Sequence, residues 1–174
     1  MKDFLDLAKK RYSCRDFSKK ALGAESIDRI IYAGLVSPST CNYQPYHLYV
    51  VKGEKLASIQ KLGKFTNAPV GIVLCTDIND TWVRKYDNQD FGVADLAILA
   101  EHMALEATDL GIDSIILGSY DPKDIKDIVG IPDNHYPHLM IMLGYALPED
   151  TPPSPDRHSV LRKDPTMMVT YVKD

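Results

Sequence analysis

Residues 38–45 read Pro-Ser-Thr-Cys-Asn-Tyr-Gln-Pro and separate two different hydrophobic patterns. A helical pattern ends near Val36, and an apolar alternating run starts at His47. Because proline fixes φ and removes a backbone donor, the two end prolines predict a rigid loop rather than a continued helix. The polar side chains between them suit a flat, hydrogen-bonding ligand, although an ordinary helix-to-strand connector has a similar composition.

Outward from this loop, periodicity predicts alternating strands and helices. Residues 69–75 are β-branched and apolar throughout, which indicates a buried central strand. Residues 77–90 are polar and predict a loop or a short helix. The predicted strands are 47–51, 69–75, 113–117 and 138–143, and the predicted helices are a short one from Phe4 that runs into residues 11–15, then 27–35, 54–62, 91–110 and 122–129.

The segment 91–110 is the longest periodic element, and its apolar residues cover more than one face. A helix that is apolar nearly all round has to be buried on more than one side. The sequence therefore predicts a core helix that also meets a partner subunit. Asp95 departs from this pattern, because a carboxylate in an apolar helix needs a partner or a raised pKa.

Composition is that of one globular domain, with 174 residues, 45% hydrophobic and 25% charged. There is no apolar run long enough to span a bilayer and no signal-peptide pattern at the start. The three cysteines are an odd number without close pairing. These features predict a cytoplasmic protein with no membrane association, disulfide framework or Cys-rich zinc site.

Charge is distributed unevenly along the chain. The net charge of −4 offers no general attraction for nucleic acid. Residues 1–20 carry seven basic and three acidic side chains, or +4, so the remainder carries −8. Arg11 and Arg15 have the i, i+4 spacing that places both guanidiniums on one helix face, where they could bind a phosphate. The alternative is a solvated basic helix end.

Two polar motifs, at residues 11–17 and 38–46, resemble those of the flavin-dependent nitroreductase family. Residues 11–17, Arg-Tyr-Ser-Cys-Arg-Asp-Phe, are similar to its Arg-x-Ser-x-Arg-x-Phe opening. Residues 38–46 are similar to its Pro-Ser-x-x-Asn-x-Gln-Pro-aromatic loop, at the expected separation. The likeness continues in order through Ala68-Pro69, the end of the long helix at Leu110-Gly111-Ile112, and Leu143-Gly144-Tyr145. It covers nearly the whole chain.

The resemblance implies an α+β protein with a three-layer α/β/α nitroreductase-like fold around a mixed central sheet. It implies a single FMN-binding domain over residues 1–174, with a core at 1–149 and an extended C-terminal arm at 150–174. It also implies a homodimer that holds FMN at the subunit interface.

The resemblance further implies which residues bind FMN. Arg11, Ser13 and Arg15 would hold the phosphate and a nearby polar edge. Ser39, Asn42 and Gln44 would reach the flavin from the partner subunit. The predicted FMN-binding residues are Arg11, Tyr12, Ser13, Arg15, Pro38, Ser39, Thr40, Asn42, Gln44, Lys64, Gly118, Ser119, Arg162 and Lys163, where one of the last two would reach the phosphate.

At the flavin itself, Lys64 would lie near the N1–O2 edge, where a cation stabilises the reduced form. A surface lysine that ends a short helix is the alternative. The backbone at Gly118-Ser119 would face flavin N5, since glycine permits close approach. Tyr12, Tyr46 and Gly118-Ser119 differ from the residues common in the family, and the segment 76–90 is too short for large lid helices. These departures bear on substrate range.

The activity implied is that of an FMN-dependent oxidoreductase with NADH or NADPH as donor. Two electrons would pass through flavin N5 to a nitroaromatic, quinone or similar small-molecule acceptor by a ping-pong mechanism. No side chain is predicted to be catalytic, because the chemistry takes place on the flavin. One alternative is an FMN-binding storage, sensor or redox-partner protein without NAD(P)H turnover, and another is a cofactor-free domain that acts through its dimer surface. His135 and His138 are interpreted as a loop pair rather than a metal site.

Overall fold

The computed structural model describes residues 3–63, 66–148, 153–154 and 156–172. These residues form six α-helices and four β-strands, with short 3-10 turns at Thr40–Asn42 and Pro165–Met167. The helices are α1 (Phe4–Lys10), α2 (Ala24–Leu35), α3 (Gly53–Gln60), α4 (Gly92–Asp109), α5 (Pro122–Val129) and α6 (Arg157–Leu161), and the strands are β1 (Tyr46–Val51), β2 (Val70–Asp77), β3 (Asp113–Leu117) and β4 (His135–Gly144).

The four strands form one sheet in the order β1-β2-β4-β3, and each neighbouring pair is antiparallel. A parallel bridge between Ser13 and Ser114 adds the chain after α1 to the outer edge of β3. Ile72 packs towards α2 and α4, and Val73 packs towards α3 and α5 on the other face. Helices therefore cover both faces of the sheet, which confirms the α+β class and the three layers.

The long helix α4 lies across one face of the sheet and packs closely on α2. Gly34 allows this approach, because a Cβ atom added there would lie 2.7 Å from Met103 Cγ. Leu96, Leu99 and Met103 are fully buried, whereas Ile98 is 39% exposed. The helix is thus buried on its sheet and α2 sides and keeps a partly exposed apolar face, as its pattern indicates.

The expected continuation of the first helix into residues 11–15 is wrong. α1 ends at Lys10, and Arg11 leaves it with an extended ψ of 131°. The Cys14 amide then donates to Ser114 O at 3.0 Å. Pairing with β3 satisfies the backbone here, so residues 12–15 cannot also make the helical hydrogen bonds.

The interpretation of His135 and His138 as a loop pair is also wrong, because both lie in β4. Pro137 suggested a loop, since proline cannot donate to a ladder. It is accommodated opposite Cys75, where the β2–β4 register shifts between Leu74 and Cys75.

The C-terminal arm contains more local structure than an extended chain, since α6 and the second 3-10 turn lie within it. Its described residues are exposed or half-exposed, so it adds nothing to the core. The expected boundary at residues 149 and 150 lies outside the described residues. No helix in the described ranges is long and apolar enough to cross a bilayer.

Candidate functional site

The basic segment 11–15 runs along the outer edge of the sheet beside β3. Ser13 is bridged to Ser114, and Cys14 is fully buried under it. Arg15 is exposed. In extended chain, successive side chains point to opposite sides. The segment therefore presents its odd-numbered polar residues outward and packs its even-numbered ones inward.

The two arginines do not share a helix face, contrary to the prediction. The Nε atom of Arg11 lies 3.7 Å from Oε1 of Glu101 on α4, and Nη1 of Arg15 donates to Ser13 O at 3.2 Å. The Arg11–Glu101 separation exceeds hydrogen-bond length, and both arginine side chains retain exposed surface. Tyr12 lies inward, and burial raises the pKa of its hydroxyl above the ordinary value.

The loop at residues 38–45 is confirmed as a loop, and it is strained. Cys41, Asn42 and Gln44 have φ values of 49°, 58° and 52°, in the left-handed region that non-glycine residues rarely adopt. Each such residue costs on the order of 1–3 kcal/mol and persists only where its surroundings hold it. All three are exposed.

Asp95 is the group that holds this loop. Its Oδ1 atom accepts hydrogen bonds from the Thr40 amide and the Thr40 hydroxyl, both at 2.8 Å. Ser39 Oγ accepts from the Gln44 amide at 3.1 Å, and Gln44 Nε2 donates to Asn42 O at 3.1 Å. Asp95 is 1% exposed, and its Oδ2 atom has no hydrogen-bond partner in the described part of the chain. Asp95 thus presents the polar loop in one conformation.

Gly118 and Ser119 lie just past the end of β3 and line a cleft of about 530 Å³ with Leu62 and Gly63. A Cβ atom added to Gly118 would lie 3.4 Å from Leu139 Cδ2, an ordinary contact. Packing within the chain therefore does not require glycine at this position. Lys64 follows Gly63 in sequence and lies outside the described residues.

Arg162 and Lys163 follow α6 and are both exposed. The tail residue that contacts the basic segment is Arg157, which sequence reasoning missed. Its Nη2 atom donates to Lys9 O at 2.9 Å and Arg11 O at 2.8 Å. These acceptors are main-chain atoms, so side-chain chemistry gave no signal for the contact.

Three regions of the chain are predicted to bind FMN: residues 11–15, residues 118–119 and the loop at 38–45. The first two lie near opposite ends of β3. Ser13 adjoins Ser114 near the start of β3, and Gly118 follows its end, so about 13 Å of strand separates them. The loop at 38–45 is anchored instead to the first turn of α4 through Asp95.

Histidines of β1 and β4 make two separate sets of polar contacts. Tyr49 OH and His135 Nδ1 are 2.6 Å apart, and the His47 ring stacks on His135 with centroids 4.4 Å apart. His138 Nε2 lies 3.0 Å from Thr76 Oγ1, and burial lowers the pKa of His138. The described residues contain no group of three or more ligands arranged to hold a metal ion.

Comparison with known proteins identifies the family of the chain. The model of the Nitroreductase family matches residues 8–64 and 60–145. An Archaeoglobus fulgidus protein, provisionally named NADH dehydrogenase/NAD(P)H nitroreductase, is 31% identical over 158 residues, which cover 86% of this chain and 88% of its own.

Two solved structures are similar over most of their length. A nitroreductase family protein of Clostridium difficile 630 has a TM-score of 0.93 at 30% identity and 99% coverage of both chains. An FMN-dependent nitroreductase of Clostridium difficile R20291 has a TM-score of 0.73 at 27% identity, with 87% of this chain and 92% of its own covered. On the extent of the family match and of these likenesses, the chain belongs to the nitroreductase family.

Proposed function

We propose that this chain is an FMN-dependent oxidoreductase that takes two electrons from NADH or NADPH and passes them to a small nitroaromatic, quinone or similar acceptor. Membership of the family makes the chain an oxidoreductase. The observation that carries the assignment of the cofactor is the partly exposed basic segment beside β3, with an open cleft at Gly118 near the far end of the same strand.

The residues present fit FMN in charge and in length. Arg11 and Arg15 offer guanidinium donors to a phosphate, and Ser13 adds a neutral donor between them. The distance along β3 to Gly118 suits an elongated mononucleotide rather than a compact anion. Gly118 has no side chain to obstruct a planar ring in the cleft.

Bound FMN supplies hydride chemistry at its N5 atom, so the protein need not supply an acid or base. The chain's own contribution is binding and orientation. Arg11 and Arg15 would hold the anionic end of FMN, and the cleft at Gly118 would accommodate its ring. Lys64 follows the cleft residue Gly63 in sequence, and a cation beside the ring would stabilise negative charge on it.

We propose that two copies of the chain complete each site. Phe4 of α1, Val36 beyond α2 and Ile98 of α4 line one apolar groove of about 660 Å³. Their exposed fractions are 68%, 60% and 39%. Apolar patches of this kind mark interaction surfaces, and a second copy of the chain would cover this one. The strained loop at 38–45 would then serve the site of the partner subunit.

Ile98→Glu tests the dimer, since a buried carboxylate without a partner disrupts an apolar interface. Sedimentation should show a dimer for the wild type and a monomer for this variant. Val50→Glu is the matched control, because Val50 is exposed to a similar extent, 44%, on the edge strand β1. A wild-type monomer, or an Ile98→Glu dimer, would refute the proposed interface.

The phosphate assignment is tested by replacing both Arg11 and Arg15 with alanine. Charge-assisted hydrogen bonds contribute about 1.5–3 kcal/mol each, so FMN affinity should fall at least about 100-fold. The double variant Lys19→Ala/Lys20→Ala removes the same charge from the same end of the chain and should bind FMN nearly as well as the wild type. Equal flavin retention by both double variants after dialysis would contradict the assignment of Arg11 and Arg15 to the phosphate.

A further inference from the structure

Arg157 joins the C-terminal tail to the end of α1, because its guanidinium binds two main-chain carbonyls at that helix end and two in the tail. Its Nη2 atom donates to Lys9 O at 2.9 Å and to Arg11 O at 2.8 Å. Its Nη1 atom donates to Pro153 O and Ser154 O, both at 3.1 Å. One guanidinium thus links a turn of the tail to the residue at which the basic segment begins.

The carbonyls at the end of a helix lack partners within the helix, and a cation there interacts favourably with the helix dipole. α1 ends at Lys10, so the carbonyls of Lys9 and Arg11 belong to this group. His158 Nε2 also lies 3.1 Å from Lys9 O. A planar guanidinium with several fixed donors can satisfy such carbonyls together, whereas a lysine ammonium offers no fixed fork.

Arg11 is the position where the chain changes direction. Its backbone leaves α1 and enters the bridge of Ser13 with Ser114. A hydrogen bond to the Arg11 carbonyl restrains the peptide group between Arg11 and Tyr12. The orientation of the segment 11–15 therefore depends on Arg157 as well as on β3.

Within its own chain, the described part of the tail makes few other contacts. α6 has no buried residue, and Val160 and Leu161 are 79% and 74% exposed. In the described part of the tail, the hydrogen bonds that reach the rest of the chain come from Arg157 and His158. The tail and the main chain at Arg11 therefore share the Arg157 contact.

We propose that Arg157 is a positioning residue that couples docking of the C-terminal tail to FMN affinity at the segment 11–15. The proposal rests on the proposed function, because it takes FMN as the anion bound there. Coupling between two sites is reciprocal, so bound FMN should hold the tail more firmly, just as a docked tail should favour FMN.

The experiment compares the wild type with Arg157→Gln and Arg157→Lys by FMN titration and by hydrogen exchange. Arg157→Gln should weaken FMN binding about tenfold, because the two bonds to Lys9 and Arg11 are lost. Arg157→Lys should recover part of this affinity, since it restores the charge without the planar fork. Arg84→Gln is the control, because Arg84 pairs with Asp87 at a distant loop.

Hydrogen exchange supplies the readout that does not depend on activity. Without FMN, Arg157→Gln should exchange faster at residues 9–15 than the wild type, with the midpoint of thermal unfolding nearly unchanged. FMN should slow exchange at residues 156–159, which precede the predicted phosphate residues Arg162 and Lys163, in the wild type and not in Arg157→Gln.

Unchanged FMN affinity in Arg157→Gln, or protection of the tail by FMN that persists in this variant, would overturn the coupling and leave the proposed function intact. A wild-type chain that binds no FMN would overturn both, which makes the two failures distinguishable.

Discussion

The hydrogen bonds of Asp95 make the sharpest stability prediction, because a buried carboxylate holds a strained loop through one residue. Asp95→Asn keeps an oxygen that can accept from the Thr40 amide and hydroxyl, but the acceptor becomes neutral. Hydrogen bonds to a charged group contribute about 1.5–3 kcal/mol, against about 0.5–1.5 kcal/mol for neutral pairs. With two bonds at 2.8 Å, the free energy of unfolding should fall by about 2 kcal/mol.

The companion variants separate the two bonds. Thr40→Val removes the hydroxyl and leaves the amide bond to Asp95, so it loses one bond to a charged group, about 1.5–3 kcal/mol, and should cost about as much as Asp95→Asn. Thr40→Ser retains both donors and serves as the control. Urea unfolding measures each change, provided that the dependence of the free energy on urea stays the same.

Asp95→Asn should change the conformation of the loop at 38–45 as well as the free energy of unfolding. Cys41, Asn42 and Gln44 hold left-handed conformations that cost free energy, so weakening the Asp95 contacts should release them. Amide exchange at Thr40 should accelerate in Asp95→Asn and FMN affinity should fall. A variant within about 0.5 kcal/mol of the wild type, with Thr40 exchange unchanged, would refute the role assigned to Asp95.

Two further predictions concern packing and pH. Gly34→Ala should lower the free energy of unfolding by about 1–3 kcal/mol, because the added Cβ would lie 2.7 Å from Met103 Cγ. Gly23→Ala is the control, since a Cβ atom there meets nothing within 4 Å. Equal stability of the two variants by calorimetry would contradict this prediction. Burial lowers the pKa of His138 in the folded state below its unfolded value of 6.5. The unfolded state therefore binds more protons, and the free energy of unfolding should fall as the pH drops through about 6.5 towards the folded pKa. Urea midpoints at pH 7.5 and 5.5 should differ less for His138→Gln than for the wild type, and an equal difference would show that His138 is not responsible.

The sequence predicts those elements whose signal is local. The bounds of β3 and α5 agree with the predicted 113–117 and 122–129, since apolar and turn residues mark both ends. The central strand β2 extends to Asp77, two residues beyond the predicted end. Alternation and periodicity depend on neighbouring residues, so one chain suffices to recognise them.

Contacts between distant residues account for the errors and omissions. The amphipathic pattern before residue 11 predicts that the helix continues through the segment 11–15. The pairing of Ser13 with Ser114, 101 residues away in sequence, prevents this. Asp95 stands out in an apolar helix, but nothing local identifies Thr40 as its partner. Arg157 binds carbonyls, which every residue has, so its role becomes visible only in three dimensions.

The visible spectrum of the purified protein, recorded before and after anaerobic addition of NADPH and then NADH, tests the central claim most directly. An FMN-dependent oxidoreductase should show flavin bands that bleach rapidly with at least one of the two donors. Flavin bands that persist with both donors would contradict the oxidoreductase and favour a flavin-binding protein without NAD(P)H turnover. A spectrum without flavin, even after addition of FMN, would contradict the assignment of the cofactor itself.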